Sequence, residues 1–439
     1  MTSDTLPGAC RLTLVFFCLL FFAAAASTKA EDNYSFDLEE FEKKPLEWGG
    51  YFELKWEHIY LNQNGALYLT EYSKEPRESL DRISAALQFK GSYQKEELTF
   101  NWLFLTSAQE DQERYQDGFD TFEAYASVKP SPLATFNVGK KPYKWGKGYA
   151  WNPVAVIDRP KDPANPEEAL EGFTGIELDL IKSFSADLKT AALTTVFLPV
   201  TDNVNEDFGK TGDNFAAKLY LLYLDTDIDL IWFDGESRPA SYGFDFAKNL
   251  TTNFEIHGEV LYTPEQKRRV LAQDGTLELD NRVDTRYLLG LRFLTENDIT
   301  TILELYHNEN GFTEAEMDRF FQLVYDAADA YSDTGDTDLL DKADNLAKSG
   351  YGKPQTSRNY LYLKVSQKEP FDLLYTTPGI TLILNLEDES YSLSPEITYT
   401  GITNWELRLR LTYIEGNRFT EYGEKQNEGK SELRIRYYF

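Results

Sequence analysis

The chain has 439 residues, a formal net charge of −29 and a mean hydropathy of −0.48, yet 15% of it is aromatic, with 28 Tyr and 29 Phe. Two Met, two Cys and three His leave little material for metal, thiol or imidazole chemistry. An acidic surface lacks the basic face that phosphate contacts need, which excludes nucleic acid as a partner.

In chain order, Arg11 first precedes an apolar run, Leu12 to Ala26. The run is too short for a stable transmembrane helix and is followed by small residues, so residues 1–30 are expected to be a signal peptide cleaved near Ala30, with Ala26 as the alternative. Cys10 and Cys18 both fall inside it, so no disulfide framework is expected in the mature chain. Residues 31–46 are acidic with Phe36, Leu38 and Phe41 and are expected to form a short periplasmic lead-in. Residues 47–439 are expected to be one barrel. No later stretch is apolar enough for a membrane helix, so a membrane could be crossed only by strands.

The strands follow as segments that alternate apolar and polar residues. Phe52, Leu54, Trp56 and Tyr60 oppose Glu53, Lys55 and Glu57, and Ile83, Ala85, Leu87 and Phe89 oppose Arg82, Ser84, Gln88 and Lys90. Phe215, Ala217, Leu219 and Leu221 oppose Lys218 and Tyr220. Phe254, Ile256, Val260 and Tyr262 oppose Glu255, His257 and Glu259, and Tyr287, Leu289, Leu291 and Phe293 oppose Arg286 and Arg292. Near the end, Tyr391 to Tyr399 oppose Ser392 and Glu396. Trp405 to Tyr413 then oppose Glu406, Arg408 and Arg410, and Leu433, Ile435, Tyr437 and Phe439 oppose Glu432, Arg434 and Arg436. Faces that carry several arginines cannot be buried in an apolar core but can line water. The predicted fold is a transmembrane antiparallel up-and-down β-barrel of about 16–18 strands. Short links near 94–96, 130–132, 183–186, 225–227, 249–252, 295–298, 367–373 and 401–403 alternate with longer ones near 62–80, 106–120, 143–172, 200–213, 264–283, 309–357 and 415–429. Two further outer links, near 234–240 and 387–389, are short.

Two links stand out. Residues 309–357 are expected to be a helical extracellular insertion: Thr313 and Glu316 have capping-box spacing, and Met317, Phe320, Phe321, Val324 and Ala328 form one stripe. A second short helix carries Leu339, Leu340, Ala343 and Leu346. It is read as a structural cap, with a lid over the pore as the functional alternative. Asp333, Asp336, Asp338 and Asp341 lack EF-hand spacing and are read as helix-start acids, so no metal site is expected. Residues 139–160 carry Lys140, Lys141, Lys144, Lys147 and Arg159 with Trp145, Tyr149 and Trp151. Folded into a barrel, such a segment would draw anions or stack sugars and aromatic solutes. The bland reading is that its glycines and Asn152-Pro153 fix a turn while the lysines meet lipopolysaccharide phosphates.

The element Gly139-Lys140, Trp145-Gly146, Gly148 and Asn152-Pro153 resembles one in porin-like outer-membrane barrels of Gram-negative bacteria, in particular the alginate-export-like and efflux-associated group. There a strand ends in Gly-Arg-Gln and runs into a Gly-rich loop ending in Asn-Pro; here the first part is Gly-Lys-Lys. The resemblance implies a channel in the outer membrane that passes small hydrophilic solutes. The alternative is a dedicated exporter of a polysaccharide or lipid that works with a periplasmic partner. Phe439 is similar to the signal that barrel-insertion machinery recognises. Outer-membrane lipids, lipopolysaccharide, that machinery and a second copy of the chain are the expected partners. Inward candidates are Glu53, Lys55, Arg82, Lys90, Glu255, His257, Glu259, Arg286, Arg292, Arg408, Arg410, Arg434 and Arg436. His58, His257 and His307 fall on separate strands. With no hydrolase motif, phosphate loop or metal cluster, neither an enzyme nor a cofactor is expected.

Overall fold

A computed structural model describes residues 45–112 and 114–439; the expected leader and most of the expected lead-in lie outside the described residues. The described chain forms 18 strands: β1 (Leu46–Leu61), β2 (Ser79–Lys95), β3 (Leu98–Asp111), β4 (Tyr115–Ser131), β5 (Ala134–Lys141), β6 (Phe173–Ser183), β7 (Leu188–Val200), β8 (Gly212–Tyr223) and β9 (Thr226–Gly235) make the first half. The second half is β10 (Ser241–Thr251), β11 (Phe254–Leu271), β12 (Leu277–Leu294), β13 (Ile299–Asn308), β14 (Asn359–Gln367), β15 (Thr376–Asn385), β16 (Tyr391–Tyr399), β17 (Trp405–Glu415) and β18 (Asn427–Tyr438).

Every strand pairs antiparallel with its neighbour in sequence, and β1 pairs with β18, so the sheet closes into an 18-stranded barrel without an edge. At the seam the Gly50 N–H donates to the Phe439 carbonyl and the Phe439 N–H to the Gly50 carbonyl. No helix among the described residues is long and apolar enough to cross a membrane, which says nothing about strands.

The two-residue rhythm sorts the faces as expected. One face carries a belt of exposed apolar side chains, among them Trp56, Ile83, Phe215, Val260, Leu289, Leu409 and Leu433. On a water-soluble wall such a continuous belt would be unfavourable; against lipid it is not. At the rim that carries Pro45 and Phe439, Trp48 packs 6.0 Å from Phe89 and 6.2 Å from Phe439, and Phe89 lies 6.3 Å from Trp102. Trp405 and Tyr437 extend this aromatic group at 5.0 Å. Near the opposite rim, Tyr287 and His307 stack at 4.8 Å, and His58 meets Tyr60 edge-on at 4.7 Å. Aromatic rings with one polar end suit two interfaces flanking an apolar band.

All eight links at the first rim are short turns, and the long links lie at the opposite one. Two expected long links are corrected. Pairing runs on to Glu110↔Tyr115 and to Leu271↔Leu277, so β3–β4 and β11–β12 are tall hairpins, the second closed at 272–276. In β11 a register shift between Thr263 and Gln266 interrupts the alternation, and beyond it Arg268 and Leu271 turn to the helical cap, so the apolar belt no longer marks the strand.

The opposite rim is capped by helices. Helix α1 (Ala66–Tyr72) lies in the link after β1 and was not expected. Helix α2 (Glu314–Thr334) begins with the expected capping box: the Thr313 hydroxyl accepts from the Glu316 N–H, and the Glu316 carboxylate accepts from the Thr313 N–H. Helix α3 (Asp338–Leu346) follows. Met317, Phe320, Phe321, Val324, Ala343 and Leu346 are buried against Ala66, Leu271 and Tyr351, and Leu340 is buried as well. Ala327, rather than the expected Ala328, is the buried alanine in α2, and Leu339 is 41% exposed. The helical turn rotates both positions off the packed stripe. Asp341 pairs with Lys74 at 3.0 Å and accepts from the Thr337 hydroxyl, so it ties α3 to the first link.

Candidate channel constriction

The link from β5 to β6, residues 142–172, does not stay at the rim. Its main chain reaches residues of β11 and β13, and its far half reaches β14, β17 and β18, so it lies across the barrel interior. Buried carboxylates on the wall hold it. Glu259 on β11 accepts from the main-chain N–H groups of Lys147, Gly148 and Val154 and from the Asn152 amide. Glu304 on β13 accepts from the N–H groups of Tyr149 and Ala150 at 2.5 and 2.9 Å. Within the segment, Asp158 accepts from the N–H groups of Tyr143 and Trp145. Burial pushes the Asp158 carboxyl up from its ordinary range, while these N–H groups pull it back. Lys161 donates to the carbonyls of Gly148 and Tyr149, and burial lowers its ammonium pKa. Charge-assisted bonds of this kind are about twice as strong as neutral ones.

Two glycines make room. Gly146 has φ 97°, a left-handed conformation that lets the main chain turn beneath Asn152. Gly290 on β12 lies between His257 on β11 and Glu304 on β13. A Cβ there would sit 2.1 Å from His257 Nε2, so only glycine lets the imidazole cross β12 to reach Glu304 at 2.9 Å.

The aromatic residues of the segment turn inward to protein. Trp145 is buried with Val154, Ile157, Phe173, Leu198, Phe233 and Leu261. Trp151 stacks on Tyr306 at 4.9 Å and meets Tyr362 edge-on at 5.9 Å. Neither offers a free face to a sugar. Tyr149, like Tyr143, stays half-open, with its hydroxyl accepting from Arg292 at 3.4 Å. The cations are matched by acids. Lys140 pairs with Glu171, Lys141 with Glu177, Lys147 with Asp229 at 2.8 Å, and Arg159 with Glu171 at 2.9 Å and with Asp207. Lys144 is exposed, at φ 58°. The expected free basic patch is therefore a set of tethers, because buried or half-buried ammonium groups need partners.

The opposite wall is charged. On β16, β17, β18, β1 and β2 the charged residues face away from the apolar belt and join neighbouring strands in pairs. Arg410 holds Glu396 at 2.5 Å, Arg408 holds Glu432 at 2.6 Å, and Arg434 holds Glu406 at 2.7 Å. Arg436 holds Glu53, Lys430 holds Glu57 at 2.8 Å, Lys55 lies 3.4 Å from Glu57, and Arg82 lies 3.5 Å from Asp111. Lys90 is exposed at the rim end of β2. Between this wall and the inner segment lies a cavity of about 540 Å³, lined by Glu57, Arg82, Arg114, Asp162, Asn165, Ser394, Arg410, Thr412 and Lys430 among others. On the packed side, Arg286 pairs with Asp284 at 2.6 Å and Glu255 lies 3.5 Å from His257 Nδ1. Sequence reading missed Glu304, Asp229, Asp158 and Lys161, whose roles depend on contacts far along the chain. The separate histidines stay separate: His58 binds Asp81 at 2.8 Å, and His307 binds Asn359 at 2.7 Å.

A closed barrel with an apolar outer belt, aromatic groups near both rims and a charged interior is the fold of porin-like outer-membrane proteins. Solved structures agree. Pseudomonas aeruginosa OccK5 (OpdH) superposes with a TM-score of 0.51 over 89% of this chain and 98% of its own, at 10% identity. Acinetobacter baumannii OccAB2 gives the same TM-score of 0.51, coverage of 89% and 98%, and identity of 10%. Pseudomonas aeruginosa OccK11 (OpdR) gives 0.50 over 89% and 96%, at 11% identity. No family model matches the chain, and no curated protein does.

Proposed function

We propose that this chain is an outer-membrane diffusion channel for small hydrophilic solutes, narrowed by residues 142–172. One observation carries this reading: the inner segment packs against one side of the barrel and leaves a polar cavity of about 540 Å³ along the other. A structural barrel with no transport role has no need of an unfilled, charged cavity, because buried charge must be either paired or hydrated. Here it is both. The paired wall offers a solute both signs of charge at short intervals, so passage is by diffusion through water, with selectivity set where the inner segment meets Arg410 and Arg434. The leader, the insertion role of Phe439, contacts of the outer belt with lipid and lipopolysaccharide, and assembly of several copies belong to the same reading.

The experiment is electrical. The purified full chain, processed as in the cell, is added to a planar bilayer. Stepwise conductance supports the channel. Complete silence at every voltage, from protein that is folded by circular dichroism, contradicts it.

A further inference from the structure

Proline donates nothing to a strand ladder, so in a sheet it is confined to strand ends, edges and bulges. Among the described strands, four prolines obey this. Pro130 on β4 and Pro264 on β11 sit at register shifts, between Val128 and Ser131 and between Thr263 and Gln266. Pro199 is the second-last residue of β7, and Pro378 lies beyond the last pair of β15 with β14, Ser366↔Gly379. Pro395 breaks the rule. It is the central residue of β16, in a closed barrel that offers no edge. The register with β17 is unchanged across it, yet pairing passes from Leu393↔Tyr413 to Glu396↔Arg410 without the positions between. The Leu411 carbonyl opposite is left without its ladder donor, in a wall where lipid offers none.

This gap is a thin partition between apolar belt and cavity. β16 has nine residues, near the shortest strand that crosses a bilayer. On the outer face Pro395, Leu411 and Tyr413 are exposed. On the inner face Ser392, Ser394, Thr412 and Ile414 line the cavity. There the gap is bridged by one bond between hydroxyls, Ser394 to Thr412 at 3.1 Å. The ion pair of Arg410 with Glu396 lies one step nearer the short-turn rim. A neutral hydroxyl bond is weaker than such a charge-assisted one. Ile383, Ile414 and Tyr422 add apolar surface to the same cavity.

We propose that β16 and β17 part at Pro395 and admit a single-chain amphiphile sideways from the membrane, with its hydroxylated head in the cavity and its chain in the gap and the lipid. The two faces of the gap select that class. A hydrophilic solute does not cross the apolar outer face, and a pure hydrocarbon gains nothing from hydroxyls, amides and ion pairs. Hydroxyls of a head group replace the bond between Ser394 and Thr412, since each side chain both donates and accepts. This goes beyond diffusion along the barrel, because the path runs through the wall.

The test uses the full chain in phosphatidylcholine vesicles, with monolauroylglycerol as the probe and glycerol as the control. The amides of Leu411 to Tyr413 should exchange with solvent at least about tenfold faster than those of Leu289 to Leu291 in β12, and Pro395→Ala, which restores a donor, should slow them by about tenfold. Pro378→Ala should leave them unchanged. Ser394→Cys reports entry: monolauroylglycerol should slow its modification by a water-soluble maleimide at least about threefold, and glycerol should not. Adding Pro395→Ala should abolish that slowing. Exchange at Leu411 to Tyr413 as slow as at Leu289 to Leu291 overturns the opening. Modification unchanged by monolauroylglycerol, or slowing that survives Pro395→Ala, overturns entry through the wall. Neither readout needs a current, so a positive result from a barrel silent in planar bilayers would uphold the side entrance and remove the diffusion reading.

Discussion

The two sides of this barrel start from the same pattern and end differently. Strands β6–β13 and strands β16–β2 both alternate apolar and polar residues, and both turn carboxylates inward. On the first side, Glu259 and Glu304 receive main-chain N–H groups, and Trp145 fills the space between segment and wall. On the second side, Glu432, Glu396 and Glu406 receive arginines from the next strand, and the space between segment and wall stays open as a cavity. An inward carboxylate is therefore not one kind of residue. Facing a backbone it acts as an anchor; facing a cation it is part of a hydrated lining. The difference follows from what lies within hydrogen-bond reach, because each carboxylate must be satisfied by some partner.

This contrast can be broken at its anchors first. Glu259→Ala together with Glu304→Ala should orphan the main-chain donors that hold residues 147–154, at about 1–3 kcal/mol for each one left dry. The expected outcome is severalfold higher conductance and a large fall in thermal stability in detergent. Unchanged conductance would mean that the segment does not narrow the passage. Next, Trp151→Ala removes the ring stacked on Tyr306 and should cost about 3–5 kcal/mol in a denaturant titration, as for large-to-small changes in packed cores. On the charged side, Glu432→Gln leaves Arg408 and Lys430 without a shared acid, so the reversal potential in a salt gradient should move towards anion preference, and stability in detergent should fall by about 3 kcal/mol because the buried Arg408 loses its charge partner.

Smaller still is the response to pH. Glu167 has its carboxyl held below the usual glutamate range by Lys364, with Arg408 and Arg410 adding to the effect. A depressed folded-state pKa means that the contact is intact above the ordinary range and is lost only as pH falls through the lowered value. Conductance should stay level from about pH 8 to about pH 5 and rise only in stronger acid. The least effect is expected for Leu339→Ser in α3, whose side chain is exposed, with a stability change within about 0.5 kcal/mol.

Much of the architecture was legible because lipid imposes a period. Leu407, Leu409 and Leu411 against Arg408 and Arg410 can be satisfied only by fat on one side and water on the other. The capping box at Thr313 and Glu316 was equally readable, since helix signals are local. Legibility faded where the lipid stops. Beyond Gln109 the first tall hairpin is polar, and in the second a register shift between Thr263 and Gln266 breaks the rhythm before Leu271 turns to the helical cap, so strand looked like loop. The inner segment was readable as distinctive but not as tethered. Glu304, within Ile302-Leu303-Glu304-Leu305, has the pattern of any inward polar residue, and nothing in its spacing links it to Tyr149 and Ala150. The lysines of residues 140–147 read as a free basic patch because their acids, Glu171, Glu177 and Asp229, come from later in the chain. Trp145 and Trp151 read as stacking platforms because burial of a loop tryptophan depends on the wall it meets.

The central claim is that water and solute move along the β16–β2 side and not along the side sealed by residues 142–172. Single cysteines test this directly, because Cys10 and Cys18 are the chain's only cysteines and fall within the expected leader. Ser394→Cys and Thr412→Cys line the cavity, whereas Ala216→Cys would point into the sealed core. A charged thiol reagent added during recording should reduce current through the first two and leave the third unaffected. Block at Ala216→Cys with none at Ser394→Cys and Thr412→Cys would put the conducting path on the wrong side of the barrel.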